Sequence, residues 1–490
     1  MAESPPNIIF IFADQMRGDC MGAVGGEALT PNIDRLAEEG IVFEQCMSNS
    51  PLCVPARTCL MTGQLVRENG IWSNRSGADP LGPSHVRNLR DSGYRTAVIG
   101  KTHLWRHGPG GKPGIHVKQM AHVLEQWGFN ESVELNDPIE TAWMDCHYTD
   151  YLAANGWLDL HRAFIRAWVA EMRSGNMTPW GQEPAPVPEG ADEDSFIGRT
   201  AVEWIENYDK GKPFYLQIQF TGPHDPYDGP TAYRDLYNVE ELDAGARELE
   251  EPPSRGMAQF RARSPSVARA TRFQKQRWRA WYYANVTLID KWIGEVRTAL
   301  EKQGLLDSTW IVFNSDHGEM LGDHGLQGKA VFYRDAMHVP CVIRPPKALA
   351  ARKSQALVEQ IDLPATMLAM ADAQPLADSL GKSLLPYLDY EPEDPRLHEG
   401  KPAVLSELFG QTAIVTDQYT LAMRIEDEDL ALFFDRHEDA GELRNFKNEA
   451  DYASVASRLI EEHVHPLAER TNHTLLDDYR NYVRTTGSIN

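Results

Sequence analysis

Four short apolar runs punctuate the chain, and each ends abruptly in polar residues. Residues 8–12 (IIFIF) lead into Asp14 and Gln15, and 96–99 (TAVI) into Gly100, Lys101 and His103. Residues 214–220 (FYLQIQF) lead into His224 and Asp225, and 310–313 (WIVF) into Asp316 and His317. Continuous apolar runs of this length predict strands buried on both faces, as in a parallel sheet. Helix signals lie between them. Residues 32–39 follow Pro31 and stop at Gly40, and 278–303 stop at Gly304. The alternation predicts an α/β fold with a doubly wound, mostly parallel sheet flanked by helices. Ligands in such folds sit beyond the carboxyl ends of the strands. The four runs are therefore expected to bring their polar followers to one rim.

From about residue 395 the pattern changes to short runs with brief polar turns, at 404–408, 412–416, 420–425 and 430–435. These predict an antiparallel meander, and 451–463 a helix after it. The expected division is a catalytic α/β domain at 1–390 and a smaller C-terminal domain at 391–490. Residues 175–194, rich in Gly, Pro and acid, predict a surface loop. Residues 255–279 hold eight basic residues and no acid, which predicts a solvated or subunit-facing helix. The glycine-rich 108–114 matches no phosphate-binding motif and predicts a flexible loop.

Composition narrows the function. Lys plus Arg is 48 and Asp plus Glu is 71 in 490 residues, a net charge of −23, the wrong sign for a binder of phosphate backbones. No run approaches the roughly 18 apolar residues that span a bilayer, and the N-terminus lacks a basic leader region. A cytoplasmic protein that engages neither nucleic acid nor membrane is expected. The six cysteines form no CxxC pair and no disulfide framework.

One cysteine has a special setting. Ser50-Pro51-Leu52-Cys53-Val54-Pro55-Ala56-Arg57, followed by Thr58-Cys59-Leu60-Met61-Thr62-Gly63, contains Cys-x-Pro-x-Arg. This resembles the signature of the sulfatase family, within the alkaline-phosphatase-like superfamily. The resemblance extends over 7–14, 30–40, the Gly-Lys-x-His element at 100–103, 283–325 and 434–446. It implies that a formylglycine-generating enzyme converts Cys53 to formylglycine (3-oxoalanine), whose hydrate is the nucleophile. Pro55 independently places residue 53 at the positive start of a helix, where anions are favoured.

Asp14, Gln15, Asp316 and His317 are the metal candidates, and residue 53 joins them by the resemblance. Oxygen donors suit Ca²⁺ or Mg²⁺. An imidazole moves the balance towards Mn²⁺ or another transition metal; one divalent ion, Ca²⁺ or Mn²⁺, is expected. Gln15 departs from the family's usual Asp and is similar to the phosphonate monoester hydrolase subgroup. Asn74, twenty-one residues after Cys53, also resembles that subgroup. Lys101, His103, His224 and Lys329 resemble the sulfatase anion pocket. Their implied roles are charge neutralisation (Lys101, Lys329), protonation of the leaving oxygen (His224 or Lys329) and removal of a proton from the hydrate (His103). Arg57 is implied to hold the nucleophile. Glu319, Asp323 and His324 are expected as supports, and Trp72, Trp105, Trp143 and Tyr148 either as core or as an aryl-accepting mouth. The resemblance thus implies a sulfuric ester hydrolase acting on a small sulfate monoester. A phosphonate monoester or phosphodiester hydrolase with the same nucleophile is the alternative, and the assembly is expected to be a homo-oligomer, dimer or tetramer.

Overall fold

The computed structural model describes residues 5–75, 77–105, 116–175, 177–245 and 265–486. Eight strands form the larger sheet: β1 (Asn7–Asp14), β2 (Ile41–Met47), β3 (Arg95–Gly100), β4 (Glu131–Glu134), β5 (Phe214–Pro223), β6 (Thr309–Ser315), β7 (Cys341–Arg344) and β8 (Arg352–Glu359). Their spatial order is β4-β3-β5-β1-β6-β7-β2-β8. Every pairing is parallel except the two made by β7. All four predicted runs are strands, and β3, β5, β1 and β6 sit side by side. The expected mostly parallel α/β architecture is therefore observed.

β1 lies at the centre and all eight of its residues are buried. Its side chains alternate between two cores, as the two-residue period of a strand requires. Ile9, Ile11 and Ala13 face one core, which also holds Val286, Ile289 and Ile293 of the long helix Arg272–Gln303. Ile8, Phe10 and Phe12 face the other, with Val86 and Leu89 of helix His85–Asp91 and Leu363 and Met367 of helix Asp362–Met370. Each such fully buried side chain contributes roughly 1.5–3 kcal/mol. Two packed faces leave only the strand ends free for chemistry.

The long helix begins at Arg272, six residues before the predicted start. Thr271 caps it: its hydroxyl accepts from the Gln274 amide, and the Gln274 side chain accepts from the Thr271 amide. The part of the basic segment at 255–264 and the glycine-rich 108–114 lie outside the described residues. Among the described residues of the basic segment, Lys275 and Arg279 are buried, which departs from the solvated reading, and Arg279 pairs with Asp323. The predicted surface loop at 175–194 is loop and a short turn over most of its described length and departs at its end. Asp192 caps helix Glu193–Glu206 by accepting from the Ser195 amide, and Asp192 and Asp194 are buried.

The late strands β9 (Val404–Leu408), β10 (Gln411–Val415), β11 (Tyr419–Arg424) and β12 (Leu430–Asp435) form the expected antiparallel meander. Helix Ala450–His463 follows. One face of the meander packs Leu405, Ile414, Leu421 and Phe433 against Cys59, Val66 and Trp72. Cys59 belongs to helix α2, Cys53–Thr62, so the meander buttresses the helix that starts at the candidate nucleophile. Trp72 is fully buried in the core, which excludes it from an aryl-accepting mouth, whereas Tyr148, also buried, borders a cavity beside His224. Among the described residues no helix is long and apolar enough to cross a membrane.

Candidate active site at the strand rim

The four strand ends meet as the pattern predicted. Asp14 closes β1; Lys101 follows β3, His224 follows β5 and Asp316 follows β6, each by one residue. Gly100 is required at its place. It has φ +115°, and a Cβ there would lie 1.9 Å from the Gln219 carbonyl oxygen of the adjacent strand. That close approach brings Lys101 against the rim.

Helix α2 points its first turn at the same rim. Its N-cap, Leu52, offers no side-chain acceptor. Asn74 supplies one instead, its Oδ1 accepting from the Val54 amide at 3.0 Å. The preceding loop is tied down twice. Ser48 Oγ lies 2.7 Å from the Ser50 carbonyl and 2.5 Å from the Asp316 carbonyl, and the Ala330 amide donates to the Pro51 carbonyl at 2.8 Å. Residue 53 is thereby fixed relative to both Asp316 and the Lys329 loop.

Asp14, Cys53, Asp316 and His317 each offer one ligand atom within 4.8 Å of the others, and all four side chains are buried. Cys53 Sγ is 3.1 Å from His317 Nε2 and 3.9 Å from Asp14 Oδ1. His317 Nδ1 donates to the Gly318 carbonyl at 2.9 Å, which fixes the tautomer and leaves the Nε2 lone pair in the cluster. Burial lowers the His317 pKa to about 4, so the ring is a neutral donor at physiological pH. Burial, then the neighbouring Asp14 charge, pushes the Cys53 thiol up to about 12. As a plain thiol it is protonated and a weak nucleophile.

Arg57 lies one turn along α2 and turns back to the strand ends. Its Nε donates to Asp316 at 2.9 Å, its Nη2 to Asp14 at 3.1 Å and its Nη1 to Gln219 at 2.8 Å and to the Lys101 carbonyl. It ties the two metal-candidate carboxylates together. Lys101 is fully buried between Asp14 and Asp137, with Nζ 2.7 Å from the latter. Burial opposes its charge, but Asp137 and Asp14 outweigh that and hold its pKa well above the ordinary lysine value. Asp137 is in turn held far below the carboxylate range, chiefly by Lys101 against the opposing effect of burial, with help from His224 and His103.

Gln15 sits with φ +70°, a conformation held by its amide donating to Asp316 Oδ1 at 2.9 Å and its carbonyl accepting from Tyr282 at 2.7 Å. Its side-chain amide donates to Glu319 at 2.5 Å and accepts from Lys329. Gln15 thus links Lys329 to the cluster. His103 is buried, also at positive φ (+54°). His224 donates from Nδ1 to the Asp225 carbonyl at 2.7 Å, leaving Nε2 as the nitrogen that can exchange a proton. Glu319 supports Gln15, and Asp323 pairs with Arg17 and Arg279. Asp137 and Gln219 are site residues that the pattern did not reveal. Asp137 follows β4 closely, so a strand recognised there would have pointed to it.

Comparison with known proteins now bears on this geometry. The sulfatase family model matches residues 6–373, three quarters of the chain. The chain belongs to the sulfatase family. A second family description, N-sulphoglucosamine sulphohydrolase C-terminal, matches residues 322–469 of the sulfatase. An arylsulfatase of Clostridium perfringens is 29% identical over 378 residues, covering 75% of this chain and 74% of its own. The multifunctional alkaline phosphatase superfamily protein PehA of Trinickia caryophylli is 28% identical, covering 92% of each chain. In fold, the sulfatase is similar to the phosphonate monoester hydrolase of Agrobacterium radiobacter, with a TM-score of 0.75, 23% identity and coverage of 95% and 96%. Family membership makes this enzyme a sulfuric ester hydrolase.

Proposed function

We propose that the enzyme cleaves the S–O bond of small sulfate monoesters, with residue 53 converted to formylglycine and one divalent cation, Ca²⁺ or Mn²⁺, beside it. The observation that carries this reading is the gathering of residue 53 with Asp14, Asp316 and His317 within 4.8 Å. The donor set fits a divalent cation: two buried carboxylates tied by Arg57, and a neutral imidazole whose tautomer is fixed. Such a cation supplies Lewis acidity next to residue 53. Formylglycine hydrate supplies two oxygens on one carbon, one to attack sulfur and one to expel sulfate.

The chain's own residues do the rest. Arg57 keeps Asp14 and Asp316 at a fixed separation. Lys101 and Lys329, the second held by Gln15, set positive charge beside the transferred sulfuryl group, where charge complementarity favours the transition state. His224 Nε2 or Lys329 Nζ gives a proton to the leaving oxygen. His103 accepts the proton released when sulfate departs. Six buried free thiols agree with maturation in a reducing, cytoplasmic setting, where a formylglycine-generating enzyme meets Cys53.

Asn74 and Gln15 favour a second reading, hydrolysis of phosphonate monoesters or phosphodiesters at the same nucleophile, because Asn74 sits at the α2 start and Gln15 at the rim. Parallel kcat/KM values on an aryl sulfate and a phosphonate monoester, with metal-replete modified enzyme, decide between them. The sulfate should be the better substrate. A higher value for the phosphonate overturns the primary reading.

A further inference from the structure

Next to His224 and Pro138 lies a cavity of about 40 Å³. A water needs roughly 10–15 Å³, so the space takes a head group of a few heavy atoms. Its wall carries the carboxyls of Asp192, Glu193, Asp194 and Asp228, and among the described residues no lysine or arginine lines it. Arg199 and Arg234 lie behind Asp192 and Asp228, and their guanidinium groups donate to backbone carbonyls.

A second observation points to a missing donor. Asn285 is 4% exposed and lines the cavity, and its Oδ1 accepts no hydrogen bond. Asp192 Oδ2 and Glu193 Oε1, on the same wall, also accept none. Gly229 leaves room in front of Asn285: a Cβ there would lie 2.3 Å from Oδ1. No protein donor reaches these three buried oxygens, so whatever occupies the space, water or a guest, has to supply the hydrogen-bond donors.

The occupant is not an anion: four acids line the space and, among the described residues, no lysine or arginine does. Nor does the wall suit a directly ligated metal ion. Such an ion draws its oxygens to about 2.3–2.6 Å from itself. Among the described residues, the acidic, thiol and imidazole atoms gathered at metal-ligand spacing are those of Asp14, Cys53, Asp316 and His317, and these four acids are not. Dispersed acceptors around a small cavity match a larger, softer cation.

We propose that this cavity seats a positively charged leaving group, so that the enzyme's preferred substrate is a sulfate ester of an amino alcohol, with an ammonium group a few atoms from the ester oxygen. The proposal rests on the sulfatase reading of the rim, and His224 provides the link because it belongs to both places. The carboxyls are prepared for such a guest. Burial, with mutual repulsion, holds Asp194 and Asp228 near pKa 7 and Glu193 well above its ordinary value. An entering cation favours their ionised forms, so binding should release protons.

Two measurements on the metal-replete, modified enzyme test this. In the first, propylammonium chloride is titrated calorimetrically into wild type and into Glu193→Gln and Asp228→Asn, in two buffers of different ionisation enthalpy. Saturable binding with proton release is expected in wild type, weakened roughly tenfold or more in either variant, the scale of one charge-assisted hydrogen bond. In the second, kcat/KM is compared for 3-aminopropyl sulfate and butyl sulfate. The amine should be preferred by on the order of tenfold, and the preference should collapse in both variants while butyl sulfate turnover holds. Absence of propylammonium binding, or equal losses for both esters, overturns the proposal. So does a Glu193-dependent site that takes Ca²⁺ and not propylammonium. If neither ester is hydrolysed but propylammonium binds as described, the sulfatase reading has failed and the cationic site stands.

Discussion

Lys101 is fully buried, and replacing it with methionine isolates what its charge does. The change keeps the side chain's length and removes the ammonium group that bridges Asp14 and Asp137. Asp14 retains Arg57 as a partner, whereas Asp137 loses the group that chiefly holds its pKa down. Removing one partner of a buried ion pair costs about 3–5 kcal/mol. Asp137 is 13% exposed and so keeps a little solvent, which favours the lower end, about 3 kcal/mol. The pH dependence gives the cost a signature. In wild type the depressed Asp137 contributes stability that is present above the unfolded carboxyl pKa and lost as pH falls below it. In Lys101→Met the main opponent of burial is gone, leaving His224 and His103, and the folded Asp137 pKa is expected to rise above the unfolded one. The variant therefore loses stability as pH rises from about 4 through that raised value. Urea unfolding in the presence of a chelator should show a gap from wild type that is already present near pH 5 and widens towards pH 8. Adding Asp137→Asn should recover much of it. A gap below about 1 kcal/mol at both pH values, or a wider gap at the acidic one, refutes the buried bridge.

Enzyme made in a host with the modifying machinery should yield a residue 53 peptide lighter by the difference between a CH₂SH and a CHO side chain, detected by mass spectrometry. Cys53→Ala should abolish turnover yet unfold close to wild type, because alanine suits the first helical position. Chelation should remove activity, and Mn²⁺ should restore it at least as well as Ca²⁺ because His317 offers a neutral nitrogen; restoration by Ca²⁺ alone would show that the imidazole does not bind the ion. His103→Ala should lower kcat by on the order of 10²–10⁴, the range for loss of a general base; normal turnover would remove His103 from the proton path.

The central strands were legible because they are buried on both faces. β1, β3, β5 and β6 write that burial directly as apolar runs. The strands at or near the sheet margins did not. β4 is only ESVE, and β8 begins RKSQ with alternate residues exposed, so neither stands out from a loop. That blindness hid Asp137, which depends on β4 for its place. Pro55 indicated the helix start, and the resemblance of Cys53–Arg57 to the sulfatase signature pointed to the candidate nucleophile, while the partners of Arg57 emerged only from the fold. The acids at 192–194 were misplaced for a different reason. Beside Pro and Gly, acidic residues suggest solvent, yet here one caps a helix and its neighbours line an internal cavity.

The dependence of turnover on the state of residue 53 tests the central claim most directly. Preparations with graded conversion, obtained by varying the supply of the modifying enzyme, can be assayed on an aryl sulfate while the aldehyde fraction is measured by mass spectrometry on the same samples. The account predicts kcat per protein proportional to the aldehyde fraction, reaching zero for the pure thiol. Full turnover from enzyme whose Cys53 remains a thiol would contradict it.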